Sequence, residues 1–290
     1  MENIIELKLS SKRWEVLQPP IYLISILPGL VWAILLPDSA PKRWLALTTL
    51  AVVLIQHGVN VLNDAIDWKK GADSQKELSW VHFHSMNLTE VKLHGALSFA
   101  VGVLLGVGIV CHLQAYTVLF VALPLVLLGY GYNASQWTLS YTSLGEWVTG
   151  LCYGPGVFGC MGYLFLGKVS VSIALGSVAF GFLAVAVLFS HQPPQILNDF
   201  LAGKSSFAVR HGAEKTFWVS RLLVLSSLLI LSVIFCLNLH NPLFIVTTIF
   251  CVLISIYRLI RSQTSPKLIL SSTLWVVVAA LVFSWGDKNL

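Results

Sequence analysis

Gln56, Asn60, Asn63 and Asp67 follow one another in steps of four, three and four within QHGVNVLNDAIDWKKGAD, the stretch from Gln56 to Asp73. That spacing places them on one face of a helix, and Asp64 stands beside the stripe. Carboxylates at the end of an otherwise apolar helix are costly unless they meet partners, water or ions, so they mark a functional site facing a helix-bundle interior. Asp64 and Asp67 offer hard oxygen ligands on one surface, a set that suits Mg²⁺ better than a transition metal.

A second polar stretch, His191 to Gly212, carries Gln195, Asn198, Asp199, Gly203, Lys204 and Arg210. Each half of the chain thus places an Asn-Asp pair and a basic, glycine-containing loop after an apolar run. Carboxylate-bearing helix ends next to Lys69, Lys70, Lys204 and Arg210 make a site for a multiply charged anion with Mg²⁺, whose shell phosphate oxygens usually complete. Since everything around the site is apolar, the ligand is expected to be amphiphilic, with a diphosphate at the surface and a hydrocarbon tail within the bundle.

The elements that position these residues follow from composition. Of 290 residues 56% are apolar and only 11% charged, against about a quarter charged in soluble domains. Runs long enough to cross about 30 Å of hydrocarbon are read at Ile21 to Leu36, Leu45 to Leu62, Leu93 to His112, Tyr116 to Tyr132, Leu144 to Leu166, Val171 to Ser190, Phe217 to Leu237, Pro242 to Ile260 and Leu268 to Trp285. The expectation is an all-α bundle of nine transmembrane helices with two cytoplasmic polar loops, one integral membrane domain over residues 1–290. No cleavable signal peptide is expected.

With the N-terminus in the cytoplasm, fourteen of the eighteen Lys and Arg residues fall inside and only Lys42, Arg43, Lys168 and Lys288 outside, which sets the orientation. The net charge of +5 therefore reflects topology. It is not a nucleic-acid signal, because no basic stripe with interleaved aromatics lies on a soluble surface. The five cysteines all fall within spans and read as apolar packing. Pro28 reads as a kink in the first span. The glycines of the fifth span, Gly150, Gly154, Gly156, Gly159 and Gly162, read as close helix packing. In the loop from Ala72 to Lys92, His82 and His84 read as surface residues, and Trp80 and Phe83 as anchors of a short helix on the bilayer surface. The last three spans, poor in polar residues, are expected to complete the ring and face lipid.

Asn63-Asp64-x-x-Asp67-x-x-x-Gly71-x-Asp73 resembles the first aspartate-rich motif of the UbiA superfamily of intramembrane aromatic prenyltransferases, with Gln56 and Asn60 matching the polar residues usually seen before it. Asp199, Gly203-Lys204 and Val209-Arg210-x-Gly212 resemble the second motif, with Gln195 standing where an aspartate is usual. A glutamine oxygen can ligate Mg²⁺ but adds no negative charge. The loop Tyr130-Gly-Tyr132 to Leu144-Gly145-Glu146 is similar to that of the 1,4-dihydroxy-2-naphthoate polyprenyltransferase branch, though Gln136 replaces its usual proline.

The resemblance implies transfer of a prenyl chain from a polyprenyl diphosphate to a small aromatic acceptor, in quinone biosynthesis as for menaquinone, at the cytoplasmic face of a bacterial inner membrane. It implies Mg²⁺ held by Asn63, Asp64, Asp67 and Asp199, and phosphates held by Lys204, Arg210 and Lys70. It further implies a pocket lined by Gln56, Asn60, Tyr132, Tyr141, Trp137 and Gln195, and Asp73 or Asp199 binding an ion or taking a proton. The loop from Ala72 to Lys92 is the expected lid over a dry site. Glu146 reads either as a carboxylate at a helix N-terminus or as a substrate-facing group. Two other classes stay open: a non-catalytic relative that binds isoprenoid lipid, and a cation-coupled transporter. A nucleotide enzyme is disfavoured by the lack of a Gly-rich phosphate loop.

Overall fold

The computed structural model describes residues 15–72, 76, 78–134, 138–239, 242–262 and 264–287. Among them there is no strand. A short 3₁₀ segment, Pro19–Tyr22, leads into α1 (Leu23–Leu35), and α2 (Lys42–Lys70), α3 (Trp80–Phe83), α4 (Leu88–His112) and α5 (Leu119–Ala134) follow. Next come α6 (Gly145–Leu151), a π-helical stretch Cys152–Gly159, α7 (Cys160–Leu166), α8 (Val171–His191), α9 (Ile196–Leu201) and α10 (Phe207–His211). The chain closes with α11 (Ala213–Asn238), α12 (Pro242–Arg261) and α13 (Pro266–Asp287). Eight helical stretches among the described residues are long and apolar enough to cross a membrane, and α12 is not one of them.

Two local departures from the expected spans have clear causes. The apolar run of the second span ends at Leu62, yet α2 continues two turns further, because nothing breaks it before Gly71. There φ reaches 84°, and the Ala72 N–H closes on the Asp67 carbonyl at 2.9 Å. The carboxylates are therefore helical, as their spacing implied. The fifth span is one continuous rod whose middle widens into π geometry around Pro155, a residue that has no N–H to give to the preceding turn.

Small residues bring the helices together. A Cβ added at Gly58 on α2 would lie 2.6 Å from the carbonyl oxygen of Gly95 on α4, and one at Gly154 would lie 2.4 Å from the Ser177 carbonyl on α8. In lipid such contacts replace the hydrophobic drive of water-soluble packing. The main core lies among α1, the π stretch, α8, α11 and α13, around Trp32, Phe158, Phe180 and Leu228. The expectation that the last three spans complete the ring and face lipid is corrected for α11 and α13, where Val224, Leu231, Phe235, Ile269 and Val277 are fully buried, whereas α12 exposes Leu243, Val246, Phe250, Leu253 and Ile260. Exposed Leu229, Leu237, Trp275 and Val282 leave only the opposite faces of α11 and α13 outward.

Candidate active site

Two cavities meet inside the bundle. The first, of about 580 Å³, is walled by polar groups of α2, α6, α8, α9 and the loops beside them, among them Asn63, Asp64, Asp67, Glu146, Gln195, Asp199 and Lys204. The second, of about 310 Å³, is walled almost wholly by aliphatic side chains and glycines, with Gln56 among its few polar members. Asn60, Tyr132, Leu188 and His191 line both, so a polar head chamber opens into an apolar tail chamber.

In the head chamber both carboxylates of α2 are engaged. Asp67, buried, accepts from Tyr141 Oη at 2.7 Å on Oδ1 and from Asn63 Nδ2 at 2.8 Å on Oδ2, with Lys204 Nζ 3.4 Å away. Asp64 Oδ2 accepts the Trp80 backbone N–H at 2.8 Å, and its Oδ1 pairs with Lys76 Nζ at 2.8 Å. The Ala72 to Lys92 segment thus reaches over the chamber through Lys76 and Trp80. Deeper along the stripe, Gln56 accepts from Ser25 Oγ at 2.6 Å and donates to the Ile21 carbonyl at 3.1 Å.

The second polar stretch closes the opposite wall. Buried Asp199 accepts from Ser206 Oγ at 3.0 Å and has Lys204 Nζ at 3.8 Å, so one ammonium bridges the carboxylates of both motifs. The chain can double back in this way because Gly203 takes a φ of 74°. Glu146 Oε1 accepts the Phe207 N–H at 2.6 Å and pairs with Arg210 at 3.2 Å, while Gln192 Oε1 accepts the Ala208 N–H at 3.3 Å. Glu146 is therefore more than a dipole partner: it ties α10 to α6.

Of the residues singled out from the sequence, Asn60, Asn63, Asp64, Asp67, Tyr132, Gln195, Asp199 and Lys204 line the head chamber. Lys70, Tyr141 and Arg210 stand outside its lining. Lys70 Nζ lies 3.7 Å above the Tyr141 ring and donates to Thr138 Oγ1, so it supports Tyr141 and through it Asp67. Arg210 is held by Glu146 and by the Ser205 carbonyl. Asp73 and Trp137 lie outside the described residues.

Sequence reasoning missed Asn133. Its Oδ1, with Ser140 Oγ and Glu146 Oε2, is buried beside the head chamber without a hydrogen-bond partner among the described residues. A buried amide one residue past a tyrosine was the available signal. His84 is likewise no plain surface residue, since its Nε2 is 3.1 Å from His94 Nδ1. Trp80, expected at the bilayer surface, is buried edge-on against His57.

The donor set fits Mg²⁺ better than a closed structural site. Among the described residues no group of three or more His, Cys, Asp and Glu could hold a metal ion unaided. Instead Asn63, Asp64, Asp67 and Asp199 front one chamber, their charge met by lysines, with orphaned oxygens alongside. That suits a hard cation whose remaining ligands arrive with the substrate.

The UbiA prenyltransferase family model matches residues 22–285. The 2-carboxy-1,4-naphthoquinone phytyltransferase of Synechocystis sp. (strain ATCC 27184 / PCC 6803 / Kazusa) is 28% identical over 221 residues, which cover 75% of this chain and 71% of that protein. The 1,4-dihydroxy-2-naphthoate octaprenyltransferase of Bacillus subtilis (strain 168) is 22% identical over 204 residues, or 69% of this chain and 65% of that one. A UbiA homologue from Archaeoglobus fulgidus, solved with GPP and Mg²⁺, shares the fold with a TM-score of 0.64 at 16% identity, over 96% of this chain and 100% of that one.

Proposed function

The chain belongs to the UbiA prenyltransferase family, and from that premise we propose that it transfers a prenyl chain from a polyprenyl diphosphate to a small aromatic acceptor of the 1,4-dihydroxy-2-naphthoate type, in quinone biosynthesis. The observation that carries the reading is the junction of the two chambers, where Asn60 and Tyr132 belong to both walls. A diphosphate fits the polar chamber and its prenyl tail the apolar one. The naphthoate-type acceptor is supported by the names of the Synechocystis and Bacillus relatives.

Mg²⁺, when bound by Asn63, Asp64, Asp67 and Asp199, supplies charge neutralisation to a departing diphosphate. Lys204 binds the phosphates and couples the two motifs, since its ammonium already sits between Asp67 and Asp199. Tyr141 orients Asp67, with Lys70 bracing the ring. Tyr132, at the junction, presents a π-face where an allylic cation forms. Lys76 and Trp80 hold the covering segment down on Asp64 and exclude water.

We further place nine spans in a bacterial inner membrane with the N-terminus and the head chamber cytoplasmic, α12 supplying the ninth. The distribution of fourteen of eighteen basic residues supports the sidedness, and two of the relatives come from bacteria.

The test is product formation by the purified chain in lipid nanodiscs with Mg²⁺, labelled polyprenyl diphosphates of several lengths and a panel of quinone-precursor acids. A labelled lipid that disappears in an Asp64→Ala, Asp67→Ala double variant is the expected result. Diphosphate binding without turnover on any acceptor would reassign the chain as an isoprenoid-binding relative.

A further inference from the structure

Tyr22, His57, His94, His84 and Glu90 touch in series from the head chamber to solvent. Tyr22 lines the chamber, and its hydroxyl is 2.6 Å from His57 Nδ1. His57 Nε2 lies 3.1 Å from His94 Nε2, and His94 Nδ1 lies 3.1 Å from His84 Nε2. His84 Nδ1 is 3.5 Å from Glu90 Oε2, with side-chain exposure rising from 19% at His84 to 58% at Glu90. The other carboxylate oxygen, Oε1, accepts from Asn87, which caps α4.

Donor bookkeeping gives the series one direction. A carboxylate only accepts, and a neutral imidazole donates from one nitrogen while accepting on the other. Working inward from Glu90, His84 and His94 each carry their proton on Nδ1, His57 carries its proton on Nε2, and Tyr22 donates to His57 Nδ1. Every contact then pairs one donor with one acceptor, the outermost across an ion-pair distance rather than a hydrogen bond, and the Tyr22 oxygen, beside its hydrogen bond with the Asn60 side chain, keeps a lone pair with which to accept. The surroundings hold the rings in place: Trp80 stands edge-on to His57 at 5.1 Å and to His94 at 5.0 Å. Gly58 and Gly95, next to His57 and His94, allow the approach of α2 to α4. Chains of histidines within a membrane bundle are a recognised means of moving protons.

We propose that this series is the proton exit of the transfer step, with Tyr22 taking the proton of the acceptor's ring hydroxyl; it rests on the prenyl-transfer reading above. In that step the allylic C–O bond breaks and its electron pair leaves with diphosphate. The acceptor's ring carbon forms the new C–C bond, and its O–H bond breaks as that oxygen becomes a carbonyl. The released proton passes to the Tyr22 oxygen as Tyr22 gives its own to His57 Nδ1. Each imidazole takes a proton on one nitrogen and gives one from the other, until one proton leaves to water at Glu90. No oxidant, reductant or further reactant is consumed.

The experiment has an activity-independent arm and a kinetic arm, both on the full chain in nanodiscs. Nitrogen-15 NMR of the imidazoles should find His84 and His94 protonated on Nδ1 and His57 on Nε2. In steady-state assays, Tyr22→Phe and His94→Leu should each lower kcat at least tenfold and leave KM for the prenyl diphosphate unchanged. Added imidazole should partly restore turnover to His94→Gly. A wild-type enzyme that turns over while His94→Leu keeps its kcat overturns the relay alone, as does His94 protonated on Nε2. Absence of wild-type product with every acceptor overturns the prenyl-transfer reading and the relay with it.

Discussion

Tyr141 donates its hydroxyl to Asp67 Oδ1 at 2.7 Å, across 74 residues of sequence. The contact pins one carboxylate of the first motif to the loop between α5 and α6, and Lys70 Nζ packs over a face of the same ring. Hydrogen bonds to charged groups contribute about 1.5–3 kcal/mol. Tyr141→Phe is therefore expected to lower kcat about tenfold or more and to raise the Mg²⁺ concentration needed for half-maximal rate. Initial rates across a Mg²⁺ titration check it; an unchanged titration would show that Asp67 is held well enough without Tyr141.

Lys76 Nζ holds Asp64 Oδ1 at 2.8 Å, and both residues line the chamber. A divalent ion binding there must displace the ammonium, and a partly exposed pair of this kind is worth about 1 kcal/mol. Lys76→Ala is expected to lower half-saturating Mg²⁺ by about fivefold. A rise instead would assign Lys76 to the phosphates.

Chelation of Mg²⁺ is expected to abolish turnover of the wild-type chain while leaving it folded, because the main core of α1, α8, α11 and α13 contains no residue of the head chamber's acidic set. Activity and circular dichroism before and after EDTA, then after Mg²⁺ is restored, separate the two effects.

Gly106 lines the tail chamber, and a Cβ built there meets nothing nearer than Ala51 Cβ at 4.0 Å. Gly106→Phe can therefore fill the chamber without forcing α2 and α4 apart. It is expected to cut kcat/KM about tenfold for long polyprenyl diphosphates and to leave geranyl diphosphate nearly unaffected. Competition between labelled donors of two lengths reads this ratio directly.

Glu146 is buried and answers both the Phe207 N–H and Arg210. Glu146→Ala leaves those donors unmet and is expected to destabilise the fold by about 1–3 kcal/mol. Glu146→Gln, which keeps an accepting oxygen, should lose less. Thermal unfolding in detergent ranks the three proteins.

What could be read from residues alone was whatever a helix decides locally. Gln56, Asn60, Asn63 and Asp67 share a face because of 3.6-residue periodicity, and their cost in an apolar run made the face functional before any neighbour was known. The small residues of the fifth span likewise announced close packing, and Gly154 against the Ser177 carbonyl bears that out. Near Gly203, the basic residues following Asp199 were also legible, because Lys204 and Arg210 stand only a few residues further along the same stretch of chain.

Tertiary structure decided who meets whom between elements. The end of the apolar run at Leu62 left unmarked how far α2 continues past its carboxylates, to Lys70. Lys204 bridging Asp67 and Asp199, and His94 reaching His57, depend on how closely helices cross. That distance is set by pairs such as Gly58 and Gly95, where a single methyl group would hold two backbones apart. Periodicity identifies the face of a helix that seeks partners, but only packing, through contacts a few ångströms long between residues far apart in the chain, selects which partners it finds.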